Sequence, residues 1–159
     1  MEEDIYQKAK DDAFRLLSYR ERSQYELASR LIKKGYSKNV ADKVVNHLKT
    51  LGYIDDYRFC EKYVRHKIKN NPRGKMLLYY ELRKKGLDEG TIRNVLEEMV
   101  PEETEINIGI KLATKWLHHN HNINKKLSKL KRYLNRKGFS LYIIHKIINQ
   151  IENNNEKTY

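Results

Sequence analysis

Three glycines set the terms on which this chain can fold. Gly35, Gly86 and Gly138 lie 51 and 52 residues apart, and the residues around them recur. Four residues before each stands Leu31, Leu82 or Leu134; eight before stands Leu27, Leu78 or Leu130. That i, i+4 spacing puts each leucine pair on one face of a helix. Two bases precede each glycine: Lys33-Lys34, Lys84-Lys85 and Arg136-Lys137. An apolar residue follows (Tyr36, Leu87, Phe139), then Ser37, Asp88 or Ser140. Glycine just past a helix end takes up left-handed backbone without a Cβ penalty. The Ser or Asp then accepts a hydrogen bond from a free N–H of the next helix. Val44, Val95 and Ile147 recur further on, as do Leu48, Met99 and Ile151. Each repeat therefore holds two helices joined by a short turn, the geometry of a helix-turn-helix.

A third helix precedes each pair. In the first repeat it runs from near Ile5 to Tyr19, with Ala9, Ala13, Leu16 and Leu17 on one face. Its successor opens with Ser23-x-x-Glu26 before Leu27, a capping box. In the second repeat, Asp55 or Asp56 caps a helix carrying Phe59, Cys60, Tyr63, Val64 and Ile68. Asn71-Pro72 then starts the middle helix, with proline at its first position. In the third repeat the first helix carries Ile108, Leu112, Trp116 and Leu117, and the middle helix runs from about Asn124 to Lys137. The expected fold is all-α: three tandem three-helix repeats at residues 1–54, 55–100 and 101–159. Repeats that pack chiefly on their neighbours build an elongated, curved body.

Charge narrows the partners. The 159 residues hold 33 Lys+Arg against 21 Asp+Glu, a net +12 that points to an anionic partner. The excess is +3 in residues 1–54, +3 in 55–100 and +6 in 101–159. Residues 111–140 hold nine bases and no acid. A merely solvated helix would interleave acids for i, i+4 pairs, so this stretch reads as a binding face. The helices that follow each glycine are poor in bases; residues 88–100 contain one, Arg93. A sequence-specific helix-turn-helix reader would carry its contacts there. The charge sits on the middle helices instead, which favours contacts governed by charge and shape.

With these residues in view, the chain resembles the RecX family of bacterial recombinase regulators. The first stretch is Ala13-x-x-Leu16-Leu17-x-x-Arg20-x-Arg22-Ser23-x-x-Glu26-Leu27, with Arg30-Leu31 and Lys34-Gly35 after it. The second, and most specific, is Leu48-x-x-Leu51-Gly52-Tyr53-Ile54-Asp55-Asp56-x-Arg58-Phe59. The third runs from Gly74-Lys75 through Glu81-Leu82-x-x-Lys85-Gly86. The resemblance covers residues 9 to about 100, and the repeat layout continues to about 151. It implies a curved body of three-helix repeats that binds the RecA filament on single-stranded DNA. It further implies inhibition of strand exchange, ATP hydrolysis and coprotease activity, sequence-independent binding of single- and double-stranded DNA, and no cofactor.

The expected contact residues are Arg73, Lys75, Lys84, Lys125, Lys126, Lys129, Lys131, Arg132, Arg136 and Lys137. Gly52, Tyr53, Asp55, Asp56, Arg58 and Phe59 are expected to serve structure, with one of the two aspartates a helix cap. Lys34, Lys85 and Lys137 fall in last helical turns, where a cation suits the helix dipole. His118, His119 and His121 do not make a metal site: neighbouring side chains on a helix diverge and no cysteine is near. The single cysteine, Cys60, falls among apolar residues and excludes an intramolecular disulfide. Tyr79 and Tyr80 leave one ring for stacking on a base or a partner.

The sequence holds no nucleotide-binding glycine loop, nucleophile elbow or metal-ligand series, so an enzyme is not expected. No apolar run approaches the roughly 20 residues of a membrane span, and the acidic start Met1-Glu2-Glu3-Asp4 is not a secretory signal. A cytoplasmic monomer is expected. The competing function is a charge-driven DNA-binding protein that acts without RecA.

Overall fold

Helices follow from the 3.6-residue period of the leucines and from the caps that bound them. The computed structural model describes residues 1–119 and 126–156 of the chain. Among these are α1 (Glu2–Tyr19), α2 (Gln24–Lys33), α3 (Lys38–Thr50), α4 (Asp56–Asn70) and α5 (Lys75–Lys84). They continue with α6 (Glu89–Met99), α7 (Glu102–His119), α8 (Lys126–Arg136) and α9 (Leu141–Glu156). No strand occurs among the described residues, so the fold is all-α with tandem three-helix repeats.

The expected punctuation is in place. Gly35, Gly86 and Gly138 have φ of +103°, +79° and +90°. After each, an N-cap side chain closes the next helix. Ser37 Oγ accepts from Val40 N at 3.3 Å, Asp88 Oδ1 from Thr91 N at 2.9 Å, and Ser140 Oγ from Ile143 N at 3.3 Å. Ser23 and Glu26 form the complete capping box at the start of α2. α1 begins at Glu2, three residues before Ile5, because Glu2, Glu3 and Asp4 complement the positive end of the helix.

One boundary differs from expectation. Pro72 does not open α5; the helix starts three residues later, at Lys75. The intervening Gly74 lies against the end of α8, its N–H donating to Lys137 O at 2.8 Å. A Cβ on Gly74 would stand 2.3 Å from Gly138 O. A backbone pinned that closely cannot also follow the helical path from Pro72.

Backbone contacts divide the chain into two compact units. The first comprises Met1–Lys62 and Leu82–Ile92, the second Tyr63–Glu81 and Arg93–Tyr159. In the first, Ala9, Ala13, Leu27, Leu31, Val44 and Leu48 are fully buried where α1, α2 and α3 meet. In the second, α7 packs chiefly on α9. Gly109 makes their approach possible, since a Cβ there would meet Ile147 Cδ1 at 2.1 Å. No described helix is long and apolar enough to cross a membrane.

Candidate nucleic-acid interface

The basic residues expected on the middle helix of the third repeat fall into two sets. On α8, Leu130 and Leu134 are buried. Lys129, Arg132 and Arg136 stand at i, i+3 and i+7, so they share one face, and all three are exposed. No acid stands on α8 before its end at Arg136. Lys131 falls on another side of the helix and is half-buried. Lys126 is half-buried beside Leu117, Leu127 and Ile148. Lys137, just past the helix, holds its Nζ 5.9 Å from the centre of the Tyr133 ring. Lys125 lies outside the described residues, as does His121.

The second repeat departs from the expected surface. Arg73 is only 7% exposed. Its guanidinium is paired with Glu81, its Nε donates to Asn71 O at 2.9 Å, and Tyr63 donates its hydroxyl to Glu81 at 2.8 Å. Arg73 therefore closes the α4–α5 turn from inside rather than presenting charge to a partner. Lys75 is half-buried, and its backbone N–H donates to the carboxylate of Glu105 at 2.8 Å. Glu105 is itself buried; burial raises its carboxyl pKa, against the lowering effect of the hydrogen bond from Lys75. Lys84 is exposed in the last turn of α5 and belongs to the other compact unit from α8.

The Gly-Tyr-x-Asp-Asp-x-Arg-Phe segment forms a structural joint. Gly52 has φ of +78°, and the N–H of Tyr53 returns to Leu48 O at 2.9 Å, ending α3. The Tyr53 ring meets Phe14 edge-on at 5.0 Å. Asp55 is the aspartate that caps α4, accepting from Arg58 N at 3.0 Å, while Arg58 itself reaches Gly52 O at 3.3 Å. Asp56 instead accepts the backbone N–H of Gln24, at the start of α2, at 2.8 Å. Burial raises the Asp56 carboxyl, opposed by that hydrogen bond. Phe59 is buried, with Lys85 Nζ 5.8 Å from its ring centre.

The lysines of the last helical turns are largely engaged within the chain. Lys34 Nζ is 2.9 Å from Asp12, and Lys85 Nζ is 3.1 Å from Glu26. Burial works to raise the Glu26 carboxyl, but hydrogen bonds from Arg20 and Lys85 outweigh it and hold the group below its ordinary value. Tyr79 is half-buried and Tyr80 is 59% exposed, their rings edge to face at 5.8 Å. Among the described residues no three of His, Cys, Asp and Glu are placed to hold a metal ion.

Comparison with known proteins follows the same layout. Residues 9–48 match the family model of the first three-helix domain of RecX, and residues 55–96 match that of the second. The regulatory protein RecX of Caldanaerobacter subterraneus subsp. tengcongensis is 32% identical over 141 residues, 89% of this chain and 69% of that protein. RecX of Legionella pneumophila is 31% identical over 146 residues, 91% of this chain and 95% of that protein. Other curated relatives are longer, and the chain spans 50 to 59% of their length. The crystal structure of RecX from Lactobacillus salivarius superimposes with a TM-score of 0.84 at 28% identity, covering 94% of this chain and 97% of that one.

Proposed function

The chain belongs to the RecX family of regulatory proteins, and from that premise we propose that it binds the RecA filament on single-stranded DNA. Bound there, it inhibits strand exchange, ATP hydrolysis and coprotease activity, and it binds DNA in an ancillary, sequence-independent way. It acts by occupancy, without turnover or cofactor, as a cytoplasmic monomer built of the repeats 1–54, 55–100 and 101–159. The observation that supports this most is the exposed, acid-free row Lys129, Arg132 and Arg136 on α8 of a chain whose relatives are regulatory proteins. Three aligned cations suit phosphates or an acidic protein surface, and their effect falls with salt.

The same row favours a second reading, in which charge alone brings the protein to DNA and RecA plays no part. Cosedimentation with preformed RecA filaments, set against RecA-free single-stranded DNA at rising salt, separates the two. The filament reading expects retention on filaments at salt that strips the protein from bare DNA. Equal loss from both would leave the charge-driven reading.

A further inference from the structure

The second compact unit contains a groove that the proposed regulation does not use. It measures about 740 Å³ and lies between α7, α8 and the α4–α5 turn. Ile108, buried, and Leu112, half-buried, form part of its lining. Beside them Trp116 stacks on Tyr133, ring centres 6.0 Å apart and planes 27° from parallel. Lys69, Lys111 and Lys115, all exposed, and the half-buried Lys137 complete the rim. No carboxylate is among the described residues that line it.

A flat aromatic stack inside a ring of cations is the chemistry of a nucleobase and its phosphates. Base stacking on aromatic rings tolerates every base, because each has a π face. Lysine supplies phosphate contacts as a point charge without reading sequence. Lys111 and Lys115 are one turn apart on the same face of α7. Four cations around one stack exceed what a single mononucleotide phosphate needs, and suit successive phosphates of a strand.

We propose that this groove holds single-stranded nucleic acid, one base stacking on the Trp116–Tyr133 pair and the flanking phosphates meeting Lys69, Lys111, Lys115 and Lys137. This deepens the ancillary DNA binding above and rests on the nucleic-acid part of that reading.

Trp116 is the only tryptophan of the chain, so its fluorescence reports on the groove directly. Titration with oligothymidylate is expected to give saturable quenching. An abasic strand of equal length and charge is expected to bind without it. Trp116→Leu should weaken binding of a labelled strand about tenfold, and Trp116→Phe should restore it. Because Trp116 also packs in the unit, Lys111→Glu with Lys115→Glu gives a second readout from exposed positions. That pair should weaken single strands more than duplex. The proposal is overturned if bound oligothymidylate leaves the emission unchanged, if the abasic strand quenches equally, or if the lysine pair weakens duplex as much as single strand. ATP hydrolysis by RecA filaments, followed in parallel, keeps the two ideas apart. Inhibition without quenching defeats the groove alone. Quenching without inhibition defeats the filament reading and supports the groove.

Discussion

Glu105 accepts the backbone N–H of Lys75 at 2.8 Å, and this contact is the counterpart of one in the preceding repeat, where Asp56 accepts the backbone N–H of Gln24 at 2.8 Å. In each case a carboxylate from a later helix satisfies a donor that the first turn of α2 or α5 leaves without an intrahelical partner. The neighbouring contact is also repeated. Ser23 Oγ donates to Lys85 O at 2.5 Å, and Gly74 N donates to Lys137 O at 2.8 Å. One middle helix thus begins against the basic turn that ends the next, twice over.

Glu105→Ala is expected to destabilise the protein by about 1–3 kcal/mol, because it leaves the Lys75 N–H with no acceptor. Glu105→Gln keeps an acceptor and should cost less. The sign of the pH effect follows from burial, which raises the Glu105 carboxyl above 4.5. The folded state then holds the proton more tightly than the unfolded state. Stability from this group is full below the ordinary carboxyl value and is lost as pH rises through the raised one. The amide of Glu105→Gln does not titrate, so the Tm of this variant relative to wild type should climb as the pH rises from below the ordinary carboxyl value of 4.5 through the raised one. Thermal unfolding across that range checks it.

Gly138 and Gly35 separate conformation from crowding. Both have positive φ. A Cβ at Gly35 meets nothing within 4 Å, whereas at Gly138 it would stand 2.3 Å from Leu77 Cβ and 2.6 Å from Leu77 N. Gly35→Ala is expected to cost about 1–2 kcal/mol, the price of a left-handed L-residue. Gly138→Ala should cost about 3 kcal/mol or more, since overpacking adds to that strain. Equal shifts in denaturant midpoint would contradict the close approach of α5 to the end of α8.

Cys60 is fully buried, and burial first, then the nearby Asp56 charge, pushes its thiol up to about 12. Only the thiolate reacts readily. Alkylation by iodoacetamide at neutral pH is therefore expected to track unfolding, with no fast phase in the native protein.

Charge reversal at Lys129, Arg132 and Arg136 should weaken single-stranded DNA binding and flatten its salt dependence. Three lost phosphate contacts correspond to a change of about 2 in the slope of log K against log salt. Reversal at Lys131, on another side of α8, should change the slope less. Titrations at several salt concentrations give both numbers.

Local chemistry was legible in the chain. Gly35, Gly86 and Gly138, and the caps Ser23, Ser37, Asp88 and Ser140, act on residues within a few positions of themselves, so spacing alone located them. What spacing does not encode is which distant group meets a helix end. Glu105 serves Lys75 from thirty residues away, and Gly74 meets Lys137, which moved the start of α5 past Pro72. Arg73 reads as surface charge until Glu81 and the α4–α5 turn are seen to enclose it. The Trp116–Tyr133 stack joins two helices whose relative placement no local pattern states.

ATP hydrolysis by RecA on single-stranded DNA is the direct readout of the proposed regulation of a recombinase filament. With filaments preformed and the protein added in increasing amounts, the rate is expected to fall to a plateau, and the fall to persist at salt that releases the protein from bare DNA. A rate that stays constant at every salt concentration, with the protein folded and in excess, would contradict the account.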